Sequence, residues 1–187
     1  IYQHNLSEAW NPKSTTSIDS FSVTEAVKGI FIGDSGSKLY TASYDDDMIY
    51  EYSLSTAWDI TTASSTGNSA STKASVITGI FFKDDGTKAF EIGYGDLYER
   101  TLSTPWDLST ISSSAESIGV PDVNKGIYIR PDGLQIFVIG YDDPDSVIYR
   151  TTLGTAWDIT TAGDWLETLL TDDSTDSLQS DLFFKPD

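Results

Sequence analysis

The feature that most constrains this chain is an internal echo that returns about every 50 residues. Trp10, Trp58, Trp106 and Trp157 stand 48, 48 and 51 residues apart. Nine residues before each is an aliphatic residue followed by tyrosine: Ile1-Tyr2, Ile49-Tyr50, Leu97-Tyr98 and Ile148-Tyr149. Four residues before each is leucine: Leu6, Leu54, Leu102 and Leu153. A second landmark, Gly29-Ile30-Phe31-Ile32, returns as Gly79-Ile80-Phe81-Phe82 and Gly126-Ile127-Tyr128-Ile129, then in degenerate form as Asp181-Leu182-Phe183-Phe184. A repeat of this length is one supersecondary unit that buries its apolar face only by stacking on its neighbours.

Each unit reads as strands. Residues 29–33 are an apolar run. Asp34-Ser35-Gly36, Asp84-Asp85-Gly86 and Pro131-Asp132-Gly133 then supply turns whose glycine can adopt a positive φ. Second strands are predicted at Lys38–Tyr44, Lys88–Tyr94 and Leu134–Tyr141. Third strands are predicted at Met48–Leu54, Asp96–Leu102 and Val147–Leu153, and weaker fourth strands near Ser20–Val23, Ser69–Val76 and Ser114–Val120. The Trp-Asp stretch reads as a turn. Helical periodicity is visible only around Asp164–Leu170. Four antiparallel strands per unit describe a propeller blade. The expected fold is therefore an all-β β-propeller with about four blades' worth of chain. Blades are expected at 29–78, 79–125 and 126–180, with 181–187 plus 1–28 as a split or incomplete blade. A β-helix has shorter coils, a leucine-rich repeat has 20–29 residues, and an immunoglobulin-type sandwich does not repeat its own turn chemistry.

The run Gly79–Lys88 (G-I-F-F-K-D-D-G-T-K), followed by Leu102–Thr110 (L-S-T-P-W-D-L-S-T), resembles a β-propeller repeat found in proteins of marine bacteria and their phages. Many of those proteins are secreted or virion-associated. The resemblance covers nearly the whole chain and implies a fold and an extracellular, cell-surface or virion setting, with no catalytic motif to transfer. Ile1 falls inside a third strand, and the last residues stop where a turn glycine is due. The chain thus reads as a piece of a larger ring; the alternative is a small ring whose two ends share one blade. Open strand edges recruit other chains, so self-association is expected.

Composition narrows the chemistry. Lys plus Arg is 11 against 29 Asp plus Glu, a net charge of −18, which disfavours nucleic acid and anionic membranes as partners. There are no cysteines and one histidine, His4, so thiolate chemistry, cysteine zinc sites and a Ser-His-Asp triad are not expected. No run of about 18 apolar residues is present to span a membrane as a helix. No signal peptide is visible, and the chain begins at Ile1 rather than Met.

The candidate ligand residues are acids between second and third strands: Asp45, Asp46 and Asp47; Asp96; and Asp142, Asp143 and Asp145. Blade symmetry places them on one face, together with Lys28, Asp122, Asn124 and Lys125 from the connections between blades. Clustered hard oxygens suit calcium, with Asp46 and Asp143 as the candidate ligands; the plainer reading is a solvated acidic rim. No other cofactor is expected. The Trp-Asp turns can either stack on sugars or pack between blades, with Asp59, Asp107 and Asp158 capping the turn; repetition at every blade favours packing. Equivalent third-strand positions vary. One set is His4, Tyr52, Arg100 and Thr151, the other Gln3, Glu51, Glu99 and Arg150, and this variation is read as surface. Arg100 and Arg150 are expected in weak exposed pairs. The leading expectation is a non-enzymatic propeller that binds a glycan or a protein, or that serves assembly. The alternative is a glycan-active hydrolase or lyase with a carboxylate site at the central channel.

With net charge −18, salt should stabilise the fold by screening over a Debye length of about 8 Å at 0.15 M. A specific calcium site would add about 2.7 kcal/mol at a hundredfold excess over Kd. Melting temperatures in millimolar calcium, millimolar magnesium and sodium chloride of matched ionic strength are expected to rise alike. A calcium-only rise removed by Asp46→Asn or Asp143→Asn would reveal a dedicated site.

Overall fold

The computed structural model describes residues 1–9, 11–121, 123–142 and 145–169. Among them, strands sort by repeat into one two-stranded and three four-stranded antiparallel sheets. β1 (Tyr2–Leu6) pairs with β2 (Thr15–Ser20). The first full blade holds β3 (Val27–Gly33), β4 (Lys38–Ser43), β5 (Met48–Leu54) and β6 (Ala63–Ser71). The second holds β7 (Ile77–Phe82), β8 (Lys88–Gly93), β9 (Asp96–Thr101) and β10 (Glu116–Gly119). The third holds β11 (Val123–Ile129), β12 (Gln135–Asp142), β13 (Asp145–Thr152) and β14 (Leu166–Leu169). Strands pair in chain order within each blade, and the first strands β3, β7 and β11 pack side by side. This is a β-propeller arrangement. The 181–187 segment assigned to the split blade lies outside the described residues.

Two strand expectations need correction. β2 and β6 begin earlier than the fourth strands expected near Ser20–Val23 and Ser69–Val76. The single 3-10 turn Ile60–Thr62 returns the chain at once beside the third strand, so Ala63 already faces Leu54. The short helical period around Asp164–Leu170 yields to strand pairing: Leu166–Leu169 is β14, hydrogen-bonded along β13.

The glycine landmark marks close backbone approach. A Cβ on Gly29 would lie 2.9 Å from the Gly79 Cα of the neighbouring inner strand. Each inner strand also carries a bulge at this point, so Lys28, Thr78 and Lys125 fall where the cross-strand register slips.

The Trp-Asp motif is an interlock. Trp58, Trp106 and Trp157 adopt left-handed backbone, with φ of 64, 63 and 62°. Their amides donate to the turn glycines of the same blade, Gly36, Gly86 and Gly133, at 2.9–3.1 Å. Each indole covers its glycine so closely that a Cβ on Gly86 would sit 2.5 Å from the Trp106 ring. The same indole reaches the preceding blade. Trp106 stacks on Phe31, centroids 6.4 Å apart, and Trp157 on Phe81 at 6.5 Å. The next residue caps a 3-10 turn: Asp59, Asp107 and Asp158 accept from Thr61, Ser109 and Thr160 amides at 3.0 Å, and Asn11 does the same for Lys13 at 3.1 Å. Packing, rather than an exposed sugar platform, is what the motif builds in the second and third blades. Trp58 remains 57% exposed beside the two-stranded sheet.

The third-strand acids join the blades. Glu51 accepts from the Leu108 amide at 2.8 Å, and Glu99 from the Ile159 amide at 3.0 Å, so each carboxylate caps the 3-10 turn of the following blade. Gln3 accepts from the Ile60 amide at 3.0 Å in the same way. Lys38 and Lys88 balance the two buried charges. These positions were expected on the surface, but Glu51 is 1% and Glu99 7% exposed. They differ because an amide oxygen and a carboxylate can each accept the same bond. Glu99→Leu should orphan the Ile159 amide and leave Lys88 with only the Trp157 carbonyl, costing about 3–5 kcal/mol, whereas Glu99→Gln should cost distinctly less because it can still accept. Urea denaturation of the two variants measures the difference; equal losses would contradict the capping role.

Candidate functional site

The hairpins between second and third strands share one face with the connections that enter each blade. Backbone bonds tie the two together: Tyr44 to Ala26, Thr72 to Asp47, and Val120 to Gly95, all at 2.8–3.1 Å. Asp45, Asp46, Asp47 and Asp96 are exposed on this face. Asp47 takes a positive φ of 54°, and Asp96 opens β9 after a positive-φ Gly95. Asp142 and Asp145 end and begin paired strands, facing each other in register, rather than forming a free loop. Asp122 and Asp143 lie outside the described residues. Lys28, at its bulge, is exposed with its Nζ 6.0 Å from the Tyr44 ring centre; Lys125 occupies the matching bulge of β11.

Of the predicted residues, Asp45 and Asp46 contribute to a concave site. A cleft of about 430 Å³ opens at this end of the first full blade. Its walls are Thr24, Glu25 and Ala26 from the entering connection, Ser43, Asp45 and Asp46 from the hairpin, Tyr50 and Tyr52 from β5, and Ser65 from β6. Tyr52 donates to Glu25, and Tyr50 donates to Asp46. The second Glu25 oxygen accepts from the Thr24 amide at 3.0 Å and hydroxyl at 3.1 Å. Burial tends to raise the Glu25 carboxyl, but the hydrogen bonds from Tyr52, Thr24 and its own backbone outweigh it and hold the group below its ordinary value. The Tyr50 hydroxyl is pushed up to about 12, chiefly by its bond to Asp46. Both tyrosines therefore stay protonated donors at neutral pH. Ser43 is fully buried in the wall beside Asp46, and its hydroxyl, with that of Tyr50, holds the Asp46 carboxyl below its ordinary value.

Sequence reasoning passed over Glu25 and read the Tyr52 position as surface. Tyr52, Arg100 and Thr151 are 7%, 5% and 1% exposed, while His4 is exposed. Arg100 is no weak surface pair. Its guanidinium meets Glu91, itself 0% exposed, at 2.9 Å and bonds the Ser71 and Ser112 carbonyls. Arg150 is exposed. The usable signal was the break in the repeat; the error lay in equating variation with solvent.

Among the described residues, no three His, Cys, Asp or Glu side chains converge on a metal-sized site. The inner strands Val27–Gly33, Ile77–Phe82 and Val123–Ile129 contain no acid, so they supply no carboxylate pair to the centre.

No family model and no curated protein matches the sequence. Solved structures do match in fold. A protein of unknown function from Desulfotomaculum acetoxidans aligns with a TM-score of 0.53 at 14% identity, over 75% of this chain and 41% of its own. A candidate 6-phosphogluconolactonase from Bacteroides fragilis aligns with a TM-score of 0.50 at 12% identity, over 82% of this chain and 40% of its own. A second, from Bacteroides uniformis, gives 0.50 and 12%, over 82% and 46%. The chain spans less than half the length of each. At these identities the likeness concerns the propeller-type fold.

Because the Glu25 pKa is lowered on folding, its hydrogen bonds stabilise the protein above its ordinary value of 4.5 and are lost as pH falls through the folded value. Tyr52→Phe should cost about 1–3 kcal/mol at pH 7. Its deficit relative to wild type should shrink steadily below about pH 4.5. Melting curves at pH 7, 5, 4 and 3 test this; a constant deficit would refute the coupling.

Proposed function

We propose that this chain is a non-catalytic binding propeller whose acidic hairpin face takes a glycan. The supporting observation is the cleft, where hydroxyls of Thr24 and Ser65 stand with two tyrosine rings beside carboxylates that can accept from vicinal sugar hydroxyls. Its size falls in the range of small-molecule sites. The carboxylates repel anionic sugars, which leaves neutral or amine-bearing glycans. The acid-free inner strands give the hydrolase or lyase reading little to build on. An extracellular setting, on a bacterial surface or a phage particle, goes with this function and rests on the repeat resemblance.

A glycan array probed with the folded protein is expected to retain a subset of neutral or amine-bearing glycans. Tyr50→Ala should weaken the best of them about tenfold, through loss of the ring and of the donor that orients Asp46. Retention of no glycan, or of anionic glycans only, would overturn the proposal.

A further inference from the structure

Resting on that glycan-binding reading, we infer that the cleft between Glu25, Asp46, Tyr50 and Tyr52 is built for a protonated amine, so that its ligand is an amino sugar. Two observations on the molecule carry this.

The first is uncompensated charge. Glu25, Asp45 and Asp46 all line the cleft, and none of its walls is lysine or arginine. The tyrosine hydroxyls orient Glu25 and Asp46 without neutralising them. Carboxylates grouped in a concavity favour a cation. Among the described residues no group of three acids is arranged to hold a metal ion, so the cleft suits an ammonium, whose three N–H donors need acceptors spread around it rather than a tight cage. The Tyr50 and Tyr52 rings can add cation–π attraction. The buried Ser43 hydroxyl beside Asp46 is one more polar group in the same wall.

The second is the next blade, which carries its own cation at the corresponding place. There the second and third strands supply Glu91 and Arg100, where the first full blade has Thr41 and Tyr52. The Arg100 guanidinium lies against Glu91 at 2.9 Å and the Ser71 carbonyl at 2.9 Å, and Glu91 also accepts from the Lys73 amide of the entering connection. In the first full blade the acid comes from that connection instead, as Glu25, and the strands offer hydroxyls. One blade is thus closed by an internal guanidinium, while the other presents acid and donors to a cleft that a ligand cation can fill.

Isothermal titration with glucosamine and N-acetylglucosamine at pH 6 separates charge from shape, because acetylation removes the cation and keeps the ring. Glucosamine is expected to bind at least about tenfold more tightly. Asp46→Asn should weaken it about tenfold, whereas Asp96→Asn, at the equivalent hairpin of the next blade, should leave it unchanged. Equal or tighter binding of N-acetylglucosamine would sink the ammonium assignment while leaving the glycan reading intact. Failure of both sugars, with other glycans retained on the array, would do the same. Failure of both with an empty array would remove both readings. Glucosamine binding that survives Asp46→Asn and Tyr50→Phe would overturn the site.

Discussion

Most of this structure depends on one reach across a blade boundary. A side-chain oxygen on the third strand accepts the first free amide of the next blade's 3-10 turn. That amide sits at a turn entrance, where no backbone partner is available. In the two interior cases it is buried, so leaving it unmade costs more than the bond itself contributes. Lysines on the second strand pair with both carboxylates inside the molecule. Each blade therefore completes the next, which is why a unit of this kind has no stable existence alone.

The tryptophan serves the same junction from the other side. Its left-handed backbone is tolerated because the turn glycine below it accepts its amide and has no Cβ to obstruct the ring. Its outer face then stacks on phenylalanine of the preceding blade. Tyr40 and Lys88 bind the Trp106 and Trp157 carbonyls at 2.6 Å, so ring, amide and carbonyl are all engaged. With the joints so heavily specified, the hairpins and connections at one end of the blades, where the repeat is loosest, are the parts left free to vary.

The acidic rim was legible in the residues; the cleft was not. Asp45 and Asp46 belong to a hairpin any repeat alignment would find, whereas Glu25, four residues before Gly29, stands where the next two units have Ser75 and Asp122, so the repeat does not hold at that position. Tyr52 looked like one member of a variable surface set. Variation there means that each blade solves the same buried position differently: tyrosine on Glu25, arginine on Glu91, threonine on the Gly163 carbonyl. Partners 9 to 27 residues away on other strands or connections decide which solution works, and spacing alone does not reveal them.

The sequence by itself determined the repeat, the strand count, the turn glycines and the Trp-Asp caps, because these rest on local rules: alternation, positive φ and a side chain bonding an amide two residues on. Tertiary structure decided which third-strand acids are buried, where the inner strands bulge, and that the first full blade keeps an open acidic cleft. The buried acids follow from what the adjacent blade brings within hydrogen-bonding distance, and the cleft from what the entering connection brings against the third strand; both distances exist only after the chain has folded.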